Sequence, residues 1–260
     1  MFWIFNFLSI SAQTEVAKAL GAKNRQRAAE ISSLAILLGI CFSLLVIVVF
    51  LPGSVPISQL LGAEGAVQSD AVTYLRVRLL GAPAVLVTLI GFGVLRGMQD
   101  MRTPLWIATF LNVMNIVLDA PFIFGFGPIP AMGVGGSALA SVLSQWAGAL
   151  LVIRMIGVRL GFLWHFKAKD VTALLRIGGD LFVRTGMLTV FLFVTTRAAN
   201  QISDEAGAAH QAIRTVWLLT GLFLDGLAIT AQSLIGYFLG ANDVPTTRRA
   251  AIYSIRWGFG

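Results

Sequence analysis

Long apolar runs, broken at regular intervals by short polar segments, make up most of the chain. Ile31 to Leu51 is 21 residues without a charge, and Met132 to Ile153 is 22. Leu79 to Leu95 has none and extends backwards through Arg76 and Arg78. Thr103 to Phe126 carries only Asp119, Leu181 to Thr196 only Arg184, and Gln211 to Leu239 only Arg214 and Asp225. A helix crossing the roughly 30 Å hydrocarbon layer needs about 20 mostly apolar residues, because each residue rises about 1.5 Å. With the run before Gly21 and another opening near Arg249, the pattern predicts seven spans and the start of an eighth. The fold class is all-α, a polytopic bundle of membrane helices. The opening MFWIFNFLSISAQ has no basic segment and no small-residue cleavage site, so it reads as the second half of a helix rather than a signal peptide.

Composition agrees with this pattern. The chain has 260 residues, 57% of them hydrophobic and 12% charged. A soluble domain carries about 25% charged residues and needs polar cover for its exterior. A net charge of +7 would suggest nucleic acid in a soluble protein. Here orientation accounts for most of it, because Lys and Arg concentrate in cytoplasmic loops. Lys18, Lys23, Arg25 and Arg27 follow the first run, Arg96 and Arg102 the third, Arg154, Arg159, Lys167, Lys169 and Arg176 the fifth, and Arg248 and Arg249 the seventh. The intervening loops, Pro52 to Ser69, Gly125 to Gly135 and Ala198 to Ala209, hold none. One cysteine, Cys41, and two distant histidines, His165 and His210, offer neither a disulfide framework nor metal-ligand spacing.

Pro104 should open a helix, while Pro83 and Pro121 fall inside runs and should kink them. An internal repeat is visible as well. AQTEVAKALGA (Ala12 to Ala22) returns as AQSLIGYFLGA (Ala231 to Ala241), so Gln13 and Gln232 each stand eight residues before a Gly-Ala pair. Six spans separate the copies. They therefore run the same way through the membrane, and their symmetry axis should lie along its normal.

No enzyme signature is present: no Gly-Lys-Ser/Thr phosphate loop, no His-Glu-x-x-His, no Gly-x-Ser-x-Gly. The glycines of GVGGSALAS (Gly133 to Ser141) open a spanning run, where close helix packing explains them better than nucleotide binding. The informative residues are carboxylates within spans, which cost about 2.5–3.5 kcal/mol to insert and normally face a cavity or a partner. Asp119 follows Asn112 and Asn115 at helical spacing, and such oxygen ligands suit Na⁺ or, with a raised carboxyl pKa, a proton. Ala120-Pro121 should free the Val117 carbonyl as a further ligand. A buried hydrogen-bond network joining helices is the plainer alternative. Asp225 should lie at matching depth, about 22 Å from the cytoplasmic helix end, facing either a shared cavity or an arginine such as Arg76, Arg78 or Arg214. Arg176, Asp180 and Arg184 have the spacing of a charge ladder. Glu15 and Lys18 should reach for the cytoplasmic interface, and His210 and Trp217 should either anchor at the outer one, the stronger expectation, or line a vestibule.

Several stretches resemble the multidrug and toxic compound extrusion (MATE) family, and its DinF-like branch most closely. They are LRGMQDMRTP (Leu95 to Pro104), NVMNIVLDAPFIFGFG (Asn112 to Gly127), MGVGGSALAS (Met132 to Ser141), GGDLFVRT (Gly178 to Thr185) and FLDGLAITAQSLIGYFLGAND (Phe223 to Asp243). The resemblance implies a twelve-helix exporter of two six-helix bundles rocking around a central cavity, with this chain running from the second helix to the start of the ninth. Residues 1–155 would form the amino-terminal bundle without its first helix, 156–177 a cytoplasmic loop, and 178–260 the start of the carboxy-terminal bundle. It further implies a cation or proton site at Asn115 and Asp119, with Ser141 standing where the family has a Thr. Another key Asp would come from a first helix outside this sequence. Asn112, Asp225 and Gln232 are cavity or substrate candidates. The implied activity is H⁺- or Na⁺-coupled antiport of small organic, drug-like compounds across the plasma membrane, with no cofactor. The expected partners are the bilayer and a small organic substrate, with no nucleic acid and a monomeric full-length protein.

Three other readings compete. A lipid-linked oligosaccharide flippase of the same superfamily would need an arginine-rich cavity, whereas Asn, Asp, Gln and Ser predominate among the candidates. A seven-helix receptor fits the topology but not the repeat, and it lacks a cysteine for an outer-loop disulfide. A purely structural subunit predicts that neutralising Asp119 and Asp225 changes nothing.

Overall fold

The computed structural model describes residues 5–60, 64–166 and 168–259, which form helices joined by short loops. In chain order these are α1 (Asn6–Gly21), α2 (Arg25–Phe50), α3 (Ser54–Leu60), α4 (Gly65–Leu80), α5 (Ala82–Gly97), α6 (Arg102–Phe124), α7 (Gly133–Arg159), α8 (Ala168–Ile202), α9 (Asp204–Gly240) and α10 (Val244–Phe259). Each predicted run has its helix. Four of them (α2, α6, α7 and α9 from Glu205) are long and apolar enough to cross a membrane, and α4 with α5 adds a fifth span bent by 49°. The bend falls at Gly81, with Pro83 in the first turn of α5, where a missing N–H and a ring clash favour a break. Pro104 lies in the first turn of α6 and Pro121 in its last. α8 is 35 residues long but carries charges along its length, and α1 and α10 have 16 residues each.

The segment 156–177 departs from the expected loop. α7 continues to Arg159 and α8 begins at Ala168, so among the described residues of this segment only 160–166 are non-helical. The first turns of α8 are tied down: Asp170 is buried and accepts from the Arg27 guanidinium on α2, one of the contacts being 2.7 Å, while Leu174 joins the hydrophobic core. Of the expected ladder, the side chains of Arg176 and Asp180 lie outside the described residues.

The core gathers where α1, α2, α5 and α7 meet, with Leu8, Val16, Ile90, Leu95, Val152 and Ile156 fully or almost fully buried. Small residues bring the helices together: a Cβ at Gly91 would fall 1.9 Å from Val152, and one at Gly93 2.2 Å from the Ser9 carbonyl. This is the usual packing of membrane helices, where lipid offers no hydrophobic drive for association. Leu44, Val48, Trp106, Ile116 and Phe193 are exposed, as lipid-facing residues should be.

The basic loops meet at one end of the bundle, as their charge predicts. Arg25 donates to the Arg159 carbonyl at 2.5 Å, and Arg159 pairs with Asp100. Three of these loops share one backbone design. Lys23, Gln99 and Asn242 adopt left-handed φ values of 57°, 63° and 57°. The next residue, Asn24, Asp100 or Asp243, then accepts from the N–H three positions on, at 2.9, 2.9 and 3.0 Å. Each loop thus closes one helix and caps the next. At Asp100, burial pushes the carboxyl pKa up, but hydrogen bonds from the Thr103 hydroxyl and backbone and from Arg159 outweigh it and hold it at about 2.

Candidate functional site: the α6–α7 polar cluster and the α1–α9 seam

α6 and α7 form an antiparallel hairpin whose register is set by close approach. A Cβ at Gly136 would stand 2.2 Å from the Phe122 carbonyl, and one at Gly148 2.4 Å from Leu111. The Met132 N–H also donates to the Phe122 carbonyl at 3.0 Å. Between these contacts the Asn115 amide donates to the Ser141 hydroxyl at 3.3 Å. Asp119 lies one turn further out, and its Oδ1 is buried with no hydrogen-bond partner among the described residues. An acceptor buried without a donor costs about 1–3 kcal/mol or more, a cost that a bound cation or a proton would relieve. Asn115, Asp119 and Ser141 are all half-buried, and together they offer oxygen ligands from two helices. Oxygen-rich sets of this kind suit hard cations.

A second set of polar contacts joins α1 to α9 near their cytoplasmic ends. The Gln13 amide donates to the Ile229 carbonyl at 2.7 Å, and the Gln232 amide donates to the Thr14 hydroxyl at 2.7 Å. Gln99, at the turn after α5, donates to the Ser233 hydroxyl at 2.8 Å, and that hydroxyl donates to the Arg96 carbonyl at 2.5 Å. The outer half of α9 is largely exposed, so the helices meet at the cytoplasmic end.

Comparison with known proteins agrees with the helical fold. The MatE family model matches residues 1–120. DNA damage-inducible protein F of Escherichia coli (strain K12) is 28% identical over 253 residues, 94% of this chain and 54% of that protein. Protein DETOXIFICATION 44, chloroplastic, of Arabidopsis thaliana is 34% identical over 173 residues, 66% of this chain and 32% of that protein. A crystal structure of MATE in the bent conformation superposes with a TM-score of 0.85 at 21% identity, covering 97% of this chain and 57% of the other. The chain belongs to the multidrug and toxic compound extrusion family.

MATE proteins are multi-pass membrane transporters, and the apolar helices here fit that architecture. This MATE chain spans between a third and a little over half the length of the curated relatives named above. Its predicted site residues fall into two groups. Asn115, Asp119 and Ser141 come together between α6 and α7. Asn112 does not join them: it is exposed, and its amide donates to the Ala108 carbonyl at 2.9 Å within its own helix. Gln232 lies in the α1–α9 seam rather than facing a cavity, because Thr14 on α1 satisfies its amide. Asp225 is exposed on α9 and makes no ion pair among the described residues. Sequence reading missed Gln99 and Ser233 as members of the seam. For Gln99 the available signal was the Gly-x-x-Asn/Asp spacing shared by Gly21/Asn24, Gly97/Asp100 and Gly240/Asp243, while Ser233 had none.

Proposed function

We propose that this MATE protein, in its full-length form, is an H⁺- or Na⁺-coupled antiporter that exports small organic compounds across the plasma membrane by alternating access. The observation that carries this reading is the unpartnered, buried Oδ1 of Asp119 one turn from the Asn115–Ser141 hydrogen bond. A carboxylate buried in lipid either pairs its charge with a cation or loses it by taking up a proton. In the outward-open state the ion binds at Asn115, Asp119 and Ser141, neutralises the carboxylate and releases the exported compound outside. The neutral site tolerates the drier inward-open state, where the ion leaves and the next compound loads. The α1–α9 seam is the contact that must part for that inward opening. Residues 1–155 serve as one moving bundle and 178–260 belong to the other. The protein works without a cofactor, as a monomer, and performs no covalent chemistry.

The test is Asp119→Asn in the full-length protein, assayed by ethidium efflux from proteoliposomes under an imposed Na⁺ or pH gradient. Gradient-driven export should disappear while membrane insertion and thermal stability are retained. Undiminished export would remove Asp119 from the mechanism.

A further inference from the structure

The outer halves of α8 and α9 form an open, mainly apolar cavity of about 310 Å³ that is separate from the Asn115–Asp119–Ser141 cluster. Its two ends differ in chemistry. α8 runs outward and α9 runs back, so Thr195 and Thr196 stand beside His210 and Arg214 towards the outside. Leu188, Phe191 and Trp217 line the cavity further in.

The outer end holds a cation with no ion-pair partner among the described residues. The Arg214 guanidinium is half-buried, and its only described partner is the Thr196 hydroxyl, 3.5 Å from Nη1. The same hydroxyl lies 3.4 Å from Nε2 of His210. No ion pair holds Arg214 among the described residues. An arginine within a span normally finds a counter-charge, and its planar fork matches a carboxylate with two parallel hydrogen bonds. The alternation His210, Arg214, Trp217 follows one face of α9, so the anchoring role expected for His210 and Trp217 gives way to a shared wall. The cavity volume suits a small ligand bound mainly by apolar walls and oriented by a few polar groups.

We propose that this cavity binds an amphipathic monocarboxylate with an aromatic or branched apolar body. The carboxylate sits on Arg214 and His210 at the outer end, and the apolar body lies against Phe191, Leu188 and Trp217. One permanent cation beside a neutral hydroxyl fits a single negative charge better than a multivalent anion. Binding at this site is independent of ion coupling at Asp119, so the two readings can fail separately.

The experiment uses the full-length protein in nanodiscs of zwitterionic lipid, with 1-pyrenebutyrate as probe and its methyl ester as the uncharged control. Energy transfer from tryptophan to the bound pyrene reports occupancy, and Trp217→Phe should remove most of it. Arg214→Gln should weaken pyrenebutyrate binding about tenfold or more, because one partner of a charge-assisted pair is lost. Arg214→Lys should retain part of the affinity, and Asp119→Asn should leave it unchanged. The ester should bind weakly and equally to wild type and Arg214→Gln. Equal affinity of acid and ester for the wild-type protein would overturn the proposal. So would failure of Trp217→Phe to change the transfer signal. Displacement of the probe by phosphatidylglycerol, with no displacement by unlabelled aromatic carboxylates, would also overturn it and mark a lipid-headgroup site.

Discussion

Gly21 on α1 faces the backbone of Tyr237 on α9, and Gly240 on α9 faces the backbone of Lys18 on α1. A Cβ at Gly21 would lie 1.9 Å from the Tyr237 carbonyl oxygen, and one at Gly240 would lie 2.1 Å from the Lys18 carbonyl oxygen. The offset that relates Gln13 to Gln232 in the sequence repeat also relates Gly21 to Gly240 and Lys18 to Tyr237. The two contacts are therefore one contact repeated about a local two-fold axis. Such an exchange of contacts defines a self-complementary interface, here made within a single chain.

This reciprocity leads to the first prediction. Gly21→Ala must push the helices apart by about 1.5 Å, the shortfall between 1.9 Å and an ordinary contact of 3.4 Å. Gly240→Ala must do nearly the same from the other side. In full-length protein lacking Cys41, a cysteine placed at the fully buried Ala17 should label several-fold faster when either substitution is added. Unchanged labelling in both would show that the seam does not seal the cytoplasmic side.

A second prediction concerns the α6–α7 cluster. Ser141→Ala removes the oxygen that accepts from Asn115 at 3.3 Å and leaves that amide free to turn away. A lost neutral hydrogen bond is worth about 0.5–1.5 kcal/mol, so the apparent affinity for the coupling ion should fall by up to about tenfold. Ser141→Thr keeps the hydroxyl and should restore it. Titration of intrinsic fluorescence with Na⁺ and with pH, in wild type and both variants, measures this. Equal affinities for the Ala and Thr variants would exclude Ser141 from the ion site.

Much of this arrangement was legible in the sequence because its causes are local. The apolar runs placed the helices, Pro83 placed the bend, and the Ala12–Ala22 and Ala231–Ala241 repeat anticipated the α1–α9 symmetry. Asn115 and Asp119 were legible from spacing within one helix, and Ser141 from the family pattern. Asn112 shows the limit of spacing arguments, since its amide is satisfied by the backbone one turn earlier instead of joining its neighbours. Gln232 and the Arg27–Asp170 pair depend on contacts between residues more than 140 positions apart, which no local periodicity encodes. Of the α8–α9 cavity, His210 and Trp217 were legible as a vestibule alternative, whereas Thr196 and Arg214 acquire meaning only when two helices are brought side by side.

The third prediction follows from Asp100. Its carboxyl is held at about 2, below its ordinary 3.8, by Thr103 and Arg159 against the opposing effect of burial. A carboxyl with a depressed pKa in the folded state contributes stability above its unfolded pKa, and that contribution is lost as pH falls through the folded value. The α5–α6 loop should therefore loosen between about pH 4 and pH 2. Removing the cap by Asp100→Ala should cost about 0.5–2 kcal/mol at neutral pH, and Asp100→Asn should flatten the acid dependence. Thermal denaturation in detergent across that pH range, compared between wild type and Asp100→Asn, gives the answer. Identical acid profiles would remove Asp100 as the titrating group.

The last prediction tests how α8 is fastened to α2. Arg27 meets both oxygens of Asp170, and it also reaches Glu30 at 3.3 Å on its own helix. Asp170 is 8% exposed, so water can replace little of what Arg27 supplies. Hydrogen bonds to charged partners contribute about 1.5–3 kcal/mol, and Arg27 supplies two of them to Asp170. Arg27→Ala should therefore destabilise the protein measurably and release the start of α8, so that protease cuts faster in the segment between Arg159 and Ala168. Glu30→Gln should have a smaller effect, because Glu30 is one helical turn away and holds Arg27 through a single longer contact. The double variant Arg27→Ala with Asp170→Asn should be less unstable than the sum of the single changes, since both singles break the same pair of hydrogen bonds. Strict additivity would mean that the two residues touch without stabilising one another, and the fastening of α8 would then have to come from Leu174 and its apolar neighbours.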